Sequence, residues 1–207
     1  MQVDLMTSDP YELRAALRAL EGRTLTGAGG VELALLEEGA GDAVQWAVPE
    51  DRFTQYLSVY LQFADAPDLQ ISTIQMDFSP CVDNSLDLSE PRLSLEQARM
   101  KNLSEGFGPG SIYRWNEIRS LTPGRVDSVQ NRSVACVQTP PQPLPHIEEV
   151  ELRIGNQTLV FCAGEAIETG THTFQVQRYE ESVLVFLDVS QDEREKILGP
   201  TPANDPQ

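Results

Sequence analysis

The sequence predicts a mainly β (α+β) fold: antiparallel sheets in a sandwich or barrel-like core, with an N-terminal helix and a short C-terminal helix. Three observations predict it. Apolar residues alternate with polar ones in several short runs, the pattern of strands with one face on a core. Gly, Pro, Asn and Asp punctuate those runs where chain reversals are needed. Two late runs, Leu159 to Ala163 and Val183 to Leu187, are apolar at consecutive positions, so both of their faces must be covered.

Taken in order, Asp9, Pro10 and Glu12 form a helix start, and Leu13, Leu17 and Leu20 form a stripe that stops at Gly22. Val31 to Leu36 and Ala43 to Val48 are short strand candidates separated by a turn-rich stretch. Residues 53 to 63 fit both a period-two and a helical stripe, and their content of Tyr, Phe, Val and Thr favours a strand. With Leu69 to Phe78 it forms a hairpin. Residues 79 to 111 are rich in Pro, Ser and Gly and read as a long surface connection broken by one short helix around Leu95 to Leu103. Strand-like runs follow at Ile112 to Leu121 and Arg125 to Val137. The Pro-rich segment 139–146 reads as a stiff spacer; its Pro140 and Pro143 have the spacing of extended-helix ligands but no adjacent base.

The last quarter is the most regular. Val150, Leu152 and Ile154 alternate with Glu149, Glu151 and Arg153, and Gly155 with Asn156 suits a two-residue turn. A loop GEAIETG and two further runs complete a predicted four-stranded meander, whose doubly apolar strands the N-terminal half is expected to cover. Ser190 and Glu193 form a capping box for a helix that ends at Gly199 and Pro200. The expected organisation is one globular domain over 1–199 with a disordered tail, 200–207.

Charge is the strongest functional signal. The chain has 207 residues with 15 Lys and Arg against 32 Asp and Glu, a net of −17. Residues 1–100 carry 17 acids and 6 bases, residues 101–147 carry 3 and 5, and residues 148–207 carry 12 and 4. Nucleic acid needs a concentrated basic surface, which this distribution lacks. No long apolar run suggests a membrane span, and the first residues lack the plan of a signal peptide. Three widely spaced cysteines, Cys81, Cys136 and Cys162, do not make a disulfide framework. A cytoplasmic protein is expected.

Catalytic and metal patterns are weak. Cys136, His146, Cys162 and His172 can be written as a zinc set, but no two of them stand at the close spacing such sites use. Asp77, Asp83, Asp87 and Glu90 lack the close ligand run of a calcium loop. A thiol nucleophile would need a positioned His. Glu165 and Glu168 are the loop acids to test as a general acid/base pair. The expectation is therefore no cofactor, no metal and no catalytic residue. The leading functional reading is a non-enzymatic acidic interaction protein of inhibitor or immunity type, binding a basic protein partner through Glu149, Glu151, Glu180 and Glu181. Alternatives are a small-molecule-binding β-barrel or cupped sheet, and an enzyme of unrecognised type.

Overall fold

A computed structural model describes residues 15, 17–35, 46, 52–78, 81–105, 111–118, 120–135, 145–170 and 173–199. The protein is mainly β; the described residues form a many-stranded antiparallel sheet and two full helices. Its elements are β1 (Thr24–Leu33), β2 (Thr54–Phe63), β3 (Leu69–Phe78), β4 (Cys81–Ser89), α1 (Leu95–Glu105), β5 (Tyr113–Glu117), β6 (Gly124–Ala135), β7 (Pro145–Ile154), β8 (Gln157–Gly170), β9 (Thr173–Leu187) and α2 (Gln191–Leu198).

The strands lie in the order β4-β3-β2-β9-β8-β7-β6-β1-β5, and a further pairing of β1 with β2 returns the sheet on itself. Strands β1, β2, β9, β8, β7 and β6 thus form a closed antiparallel ring. Closure satisfies backbone groups that an open edge would leave to solvent or to another chain. β3–β4 and β5 are additions to the ring, on the free stretches of β2 and β1.

β1 starts at Thr24, well before the expected Val31. Its Gly-rich first half hides it from propensity reasoning, yet those glycines are what the packing requires. A Cβ on Gly29 would lie 3.0 Å from the Asn116 carbonyl oxygen, and one on Gly30 would collide with the carbonyl of Ser58. β1 is held between β2 and β5 at these positions, and side chains there would push the three backbones apart.

Residues 53–63 are a strand, as their composition predicts, with an irregularity that explains their mixed periodicity. Pairing shifts between Val31↔Ser58 and Glu32↔Tyr56, leaving Leu57 as an extra residue on β2. This bulge places Tyr56 in the same buried cluster as Val59, Leu61 and Phe63 while Leu57 is exposed. A strict alternation would have sent Tyr56 to the other face.

The stretch 79–111 needs correction, because β4 pairs along the whole length of β3, from Gln70↔Ser89 to Phe78↔Cys81. Asp, Asn and Ser lower the strand propensity of β4, but Leu86 and Leu88 keep its period of two and are buried in the barrel core. β3 leaves β2 after the pairs Val59↔Ile71, Tyr60↔Gln70 and Leu61↔Leu69, and β4 then lies against β7, β8 and β9. The Ile147 N–H donates to Ser85 Oγ at 2.9 Å where β4 meets β7. The predicted short helix is α1. Ser94 caps it reciprocally with Gln97: the Gln97 N–H donates to Ser94 Oγ at 3.3 Å and the Ser94 N–H to Gln97 Oε1 at 3.0 Å.

The four-stranded meander is three strands. Glu165 and its neighbours belong to β8, not to a loop, and β9 runs continuously through Tyr179 to Ser182. The register passes from Ala163↔Val183 to Gly164↔Arg178, so residues 179–182 form a wide bulge on β9. The expected spacer is also corrected at its end: Pro145 and His146 pair with Ala135 and Val134 in a β6–β7 hairpin. Residues 136–144 lie outside the described residues, as do the strand expected at 43–48 except Trp46, and the tail 200–207. Of the N-terminal helix only Ala15, Leu17 and Arg18 are described as helical. Gly22, at φ +83°, follows them and donates its N–H to the Val126 carbonyl at 2.8 Å.

Both faces of β8 and β9 are buried. Leu159, Phe161, Ala163, Val183 and Val185 join the barrel interior, whereas Val160, Cys162, Leu184 and Phe186 form a second cluster outside it. α2 supplies Leu198 and Ile197 to that outer cluster, the far ends of β8 and β9 supply Ala166, Phe174 and Val176, and Leu35 and Phe53 complete it. The N-terminal half thus supplies part of the expected cover, with Phe53 against Phe186 at 5.7 Å between ring centroids, and the C-terminal helix, held by its capping box at Ser190 and Glu193, supplies another part.

Leu184→Ala removes a fully buried side chain from this outer layer, and its cost is expected at about 2–5 kcal/mol. Leu57→Ala, at the exposed bulge, is expected to cost under about 0.5 kcal/mol. Urea denaturation of the two variants checks the contrast; equal losses would overturn the two-layer description.

Candidate functional site

The four acids expected to face a partner divide into two groups. Glu149 and Glu151 lie on the outward positions of β7, alternating with the buried Val150 and Leu152. Arg194, from the first half of α2, lies over them with its side chain 5 % exposed, and its Nη2 donates to Glu149 Oε1 and Glu151 Oε2, each at 3.1 Å. Its Nη1 also donates to the Val189 carbonyl at 2.8 Å. These acids fasten the helix to the barrel. Cys162 sits beside them, its Sγ 3.5 Å from Glu149 Oε2. Burial above all, then the Glu149 carboxylate, raises the thiol pKa well above its ordinary value, which opposes formation of a nucleophilic thiolate.

Glu180 and Glu181 belong to the wide bulge of β9, and the same bulge brings them to Glu165. Burial first, and then Glu180 and Glu181, push the Glu165 carboxyl above the usual carboxylate range. Among the described residues none of the three has an ion-pair partner. Glu168 is paired through its backbone with Phe174, and its side chain lies outside the described residues. The acids that meet Glu165 are therefore Glu180 and Glu181, which sequence spacing alone could not relate to it.

A second locality escaped the sequence reading. Glu32 on β1 is paired with Arg114 on β5 and with Tyr56 on β2, and Tyr56 in turn with Val183 on β9. The three polar side chains consequently stand in one cross-strand row. The Glu32 carboxylate is 2 % exposed and is met bidentately by Arg114, with Nε on Oε2 and Nη2 on Oε1 at 3.0 Å. The guanidinium lies over the Trp46 ring at 4.2 Å. Burial, then the Glu32 charge, raises the Tyr56 phenol, while Arg114 and the Asn116 side chain act against the rise. This row borders a cleft of about 440 Å³ whose walls include Arg52, Phe53, Trp115, Ile118, Val185 and Leu187.

An acid between Val31 and Leu33 was a usable sequence signal, since a charge inside a strand needs a partner. Its partner is 82 positions away in sequence, and the bulge at Leu57 hides which face the row occupies. Of the proposed zinc residues only Cys162 has a described side chain. Among the described residues no three His, Cys, Asp or Glu gather as a cation site, and no helix is long and apolar enough to cross a membrane. Comparison with protein-family models, curated proteins and solved structures finds no match to the chain.

Arg194→Ala strands two half-buried carboxylates and is expected to cost about 3–5 kcal/mol in urea denaturation. Adding Glu149→Gln and Glu151→Gln to that variant should recover part of the loss, since the stranded charge is then gone. Glu165 carries the opposite sign of pH dependence from a paired acid. Its pKa is raised on folding, so its contribution favours the folded state below the unfolded pKa and is lost as pH rises through the folded value. Glu165→Gln should therefore stabilise the protein at about pH 7 and make no difference at about pH 3, below the ordinary carboxylate range. Denaturation midpoints that shift equally at both pH values would contradict the cluster.

Proposed function

We propose that the protein is a non-enzymatic acidic interaction protein, of inhibitor or immunity type, which binds a basic protein partner in the cytoplasm. The observation that carries this reading is the Glu165–Glu180–Glu181 cluster: three acids held together by a β-bulge, with no described cation to neutralise them. Folding that retains like-charge repulsion leaves a local negative field directed at solvent, and such a field accelerates encounter with an oppositely charged surface. The net charge of −17 extends the same attraction over the molecule. Glu149 and Glu151 contribute less to it than their outward positions suggest, because Arg194 neutralises part of their charge. Apolar side chains pack the barrel interior, with the cleft of about 440 Å³ bordered by Tyr56, Ile118, Val185 and Leu187 at its margin. The raised Cys162 thiol disfavours a cysteine nucleophile at that position.

The test starts from a partner captured at low salt and identified by mass spectrometry, followed by stopped-flow association. Association should slow as ionic strength rises, since screening shortens the reach of the field to about 8 Å near physiological salt. Glu165→Gln, Glu180→Gln and Glu181→Gln together should lower the association rate by roughly tenfold while changing the dissociation rate by less than about threefold. An association rate indifferent to salt and to all three substitutions would refute the proposal.

A further inference from the structure

The groove that α2 occupies carries an inference that rests on the reading of a basic partner and locates its contact. We propose that the outward face of β7, β8 and β9 beneath α2 is the docking site for an amphipathic helix of that partner, one that places an arginine three and four residues before an apolar pair, and that α2 is its displaceable stand-in.

The occupant seen in the structure defines the chemistry. Arg194, Ile197 and Leu198 stand at i, i+3 and i+4, so one face of α2 presents a guanidinium and two aliphatic side chains. The groove answers each of them. Val160, Cys162, Leu184 and Phe186 form an apolar floor, and Glu149 and Glu151 stand beside it with the two oxygens that Arg194 Nη2 reaches at 3.1 Å. A partner helix with this face and spacing would meet the same contacts.

α2 itself fills the groove imperfectly. It carries three acids, Asp192, Glu193 and Glu195, against Arg194 and Lys196, so an acidic helix lies over two carboxylates of its own chain. Arg194 Nε and Arg178 Nε are shielded from solvent and have no acceptor among the described residues, and Arg178 Nη2 reaches the Gly199 carbonyl at the helix end only at 3.4 Å. Buried donors left unmet cost stability. The tie of Glu193 to Arg52 is 3.9 Å long and exposed, which makes it weak. The strand end before the helix is by contrast fixed. Asp188, at φ +56°, donates its N–H to the Thr158 carbonyl at 2.9 Å and accepts the Thr158 N–H on Oδ1 at 2.8 Å. Release can therefore begin at Val189 and Ser190 and leave the barrel intact. A helix with arginine and no acids of its own replaces the contacts of α2 without its charge conflict.

The probe is the fluorescein-labelled, amidated peptide AARAALLAARAALLA, which repeats the arginine and its apolar pair twice, with a control in which glutamine replaces both arginines. The full chain is titrated by fluorescence anisotropy, and its backbone amide exchange is followed by mass spectrometry. The arginine peptide should bind at least about tenfold more tightly than the glutamine one. At saturation it should speed exchange of the α2 amides at least about tenfold and leave Gln157 to Ala163 of β8 unchanged. Ile197→Ala, which loosens α2 but keeps Arg194 and both acids, should tighten binding at least about threefold, because apparent affinity scales with the open fraction. Arg194→Ala should tighten it further, and Glu149→Gln with Glu151→Gln added to that variant should remove the gain. Binding that leaves α2 exchange unchanged, or that only Glu165→Gln, Glu180→Gln and Glu181→Gln weaken, would place the basic partner at the β9 bulge, overturning the groove and sparing the broader reading. Failure of the arginine peptide to bind the Ile197→Ala variant would overturn the groove as well.

Discussion

The pairing of β1 with β2 is the constraint on which the rest of the structure depends. Without it the strands would form an open sheet, with long edges and an apolar face needing another layer. With it, the inward residues of the ring face one another and make their own core. The pairing is possible because Gly29 and Gly30 let β1 lie close to Ser58 on one side and Asn116 on the other. It also brings Glu32, Tyr56 and Arg114 into register, so the barrel closure and the polar row at the cleft have the same origin.

A second dependence links the barrel to its outer layer. β8 and β9 are longer than the ring needs, and their outward apolar residues require cover. α2 provides part of it, but a helix of eight residues has little stability of its own. Its capping box, its apolar contacts through Ile197 and Leu198, and Arg194 on Glu149 and Glu151 hold it in place. Two of the acids that make the chain so negative are thereby structural. The bulge in β9 has the contrary effect, gathering Glu165, Glu180 and Glu181 with no compensating cation among the described residues.

Charge counts along the chain therefore say less about the surface than their size suggests. Two bases of the mildly basic middle segment meet buried acids: Arg114 meets Glu32, and Arg132 Nε meets Glu148 at 2.7 Å. Both carboxylates are almost fully buried. Buried carboxylates with good bidentate or short contacts contribute orientation and register as much as stability, since desolvation offsets much of their attraction. Among the described residues, Glu165, Glu180 and Glu181 gather at the β9 bulge without an ion-pair partner.

Local pattern was sufficient for most of the antiparallel strands, the Gly155–Asn156 turn, α1 and the capped C-terminal helix, because alternation, turn chemistry and capping act over a few residues. It was also sufficient to show that β8 and β9 must be covered on both faces. It failed at β4, where polar residues masked an alternating strand, at the start of β1, where glycines serve close packing, and at residues 164–170, where a strand continues past a bulge. Only the tertiary structure decided that the ring closes, that Glu149 and Glu151 belong to Arg194, that Glu165 joins Glu180 and Glu181, and that Glu32 finds Arg114. Each of these rests on a register between strands distant in sequence. Because a single bulge reverses the face of every later residue, local periodicity cannot carry such information across the chain.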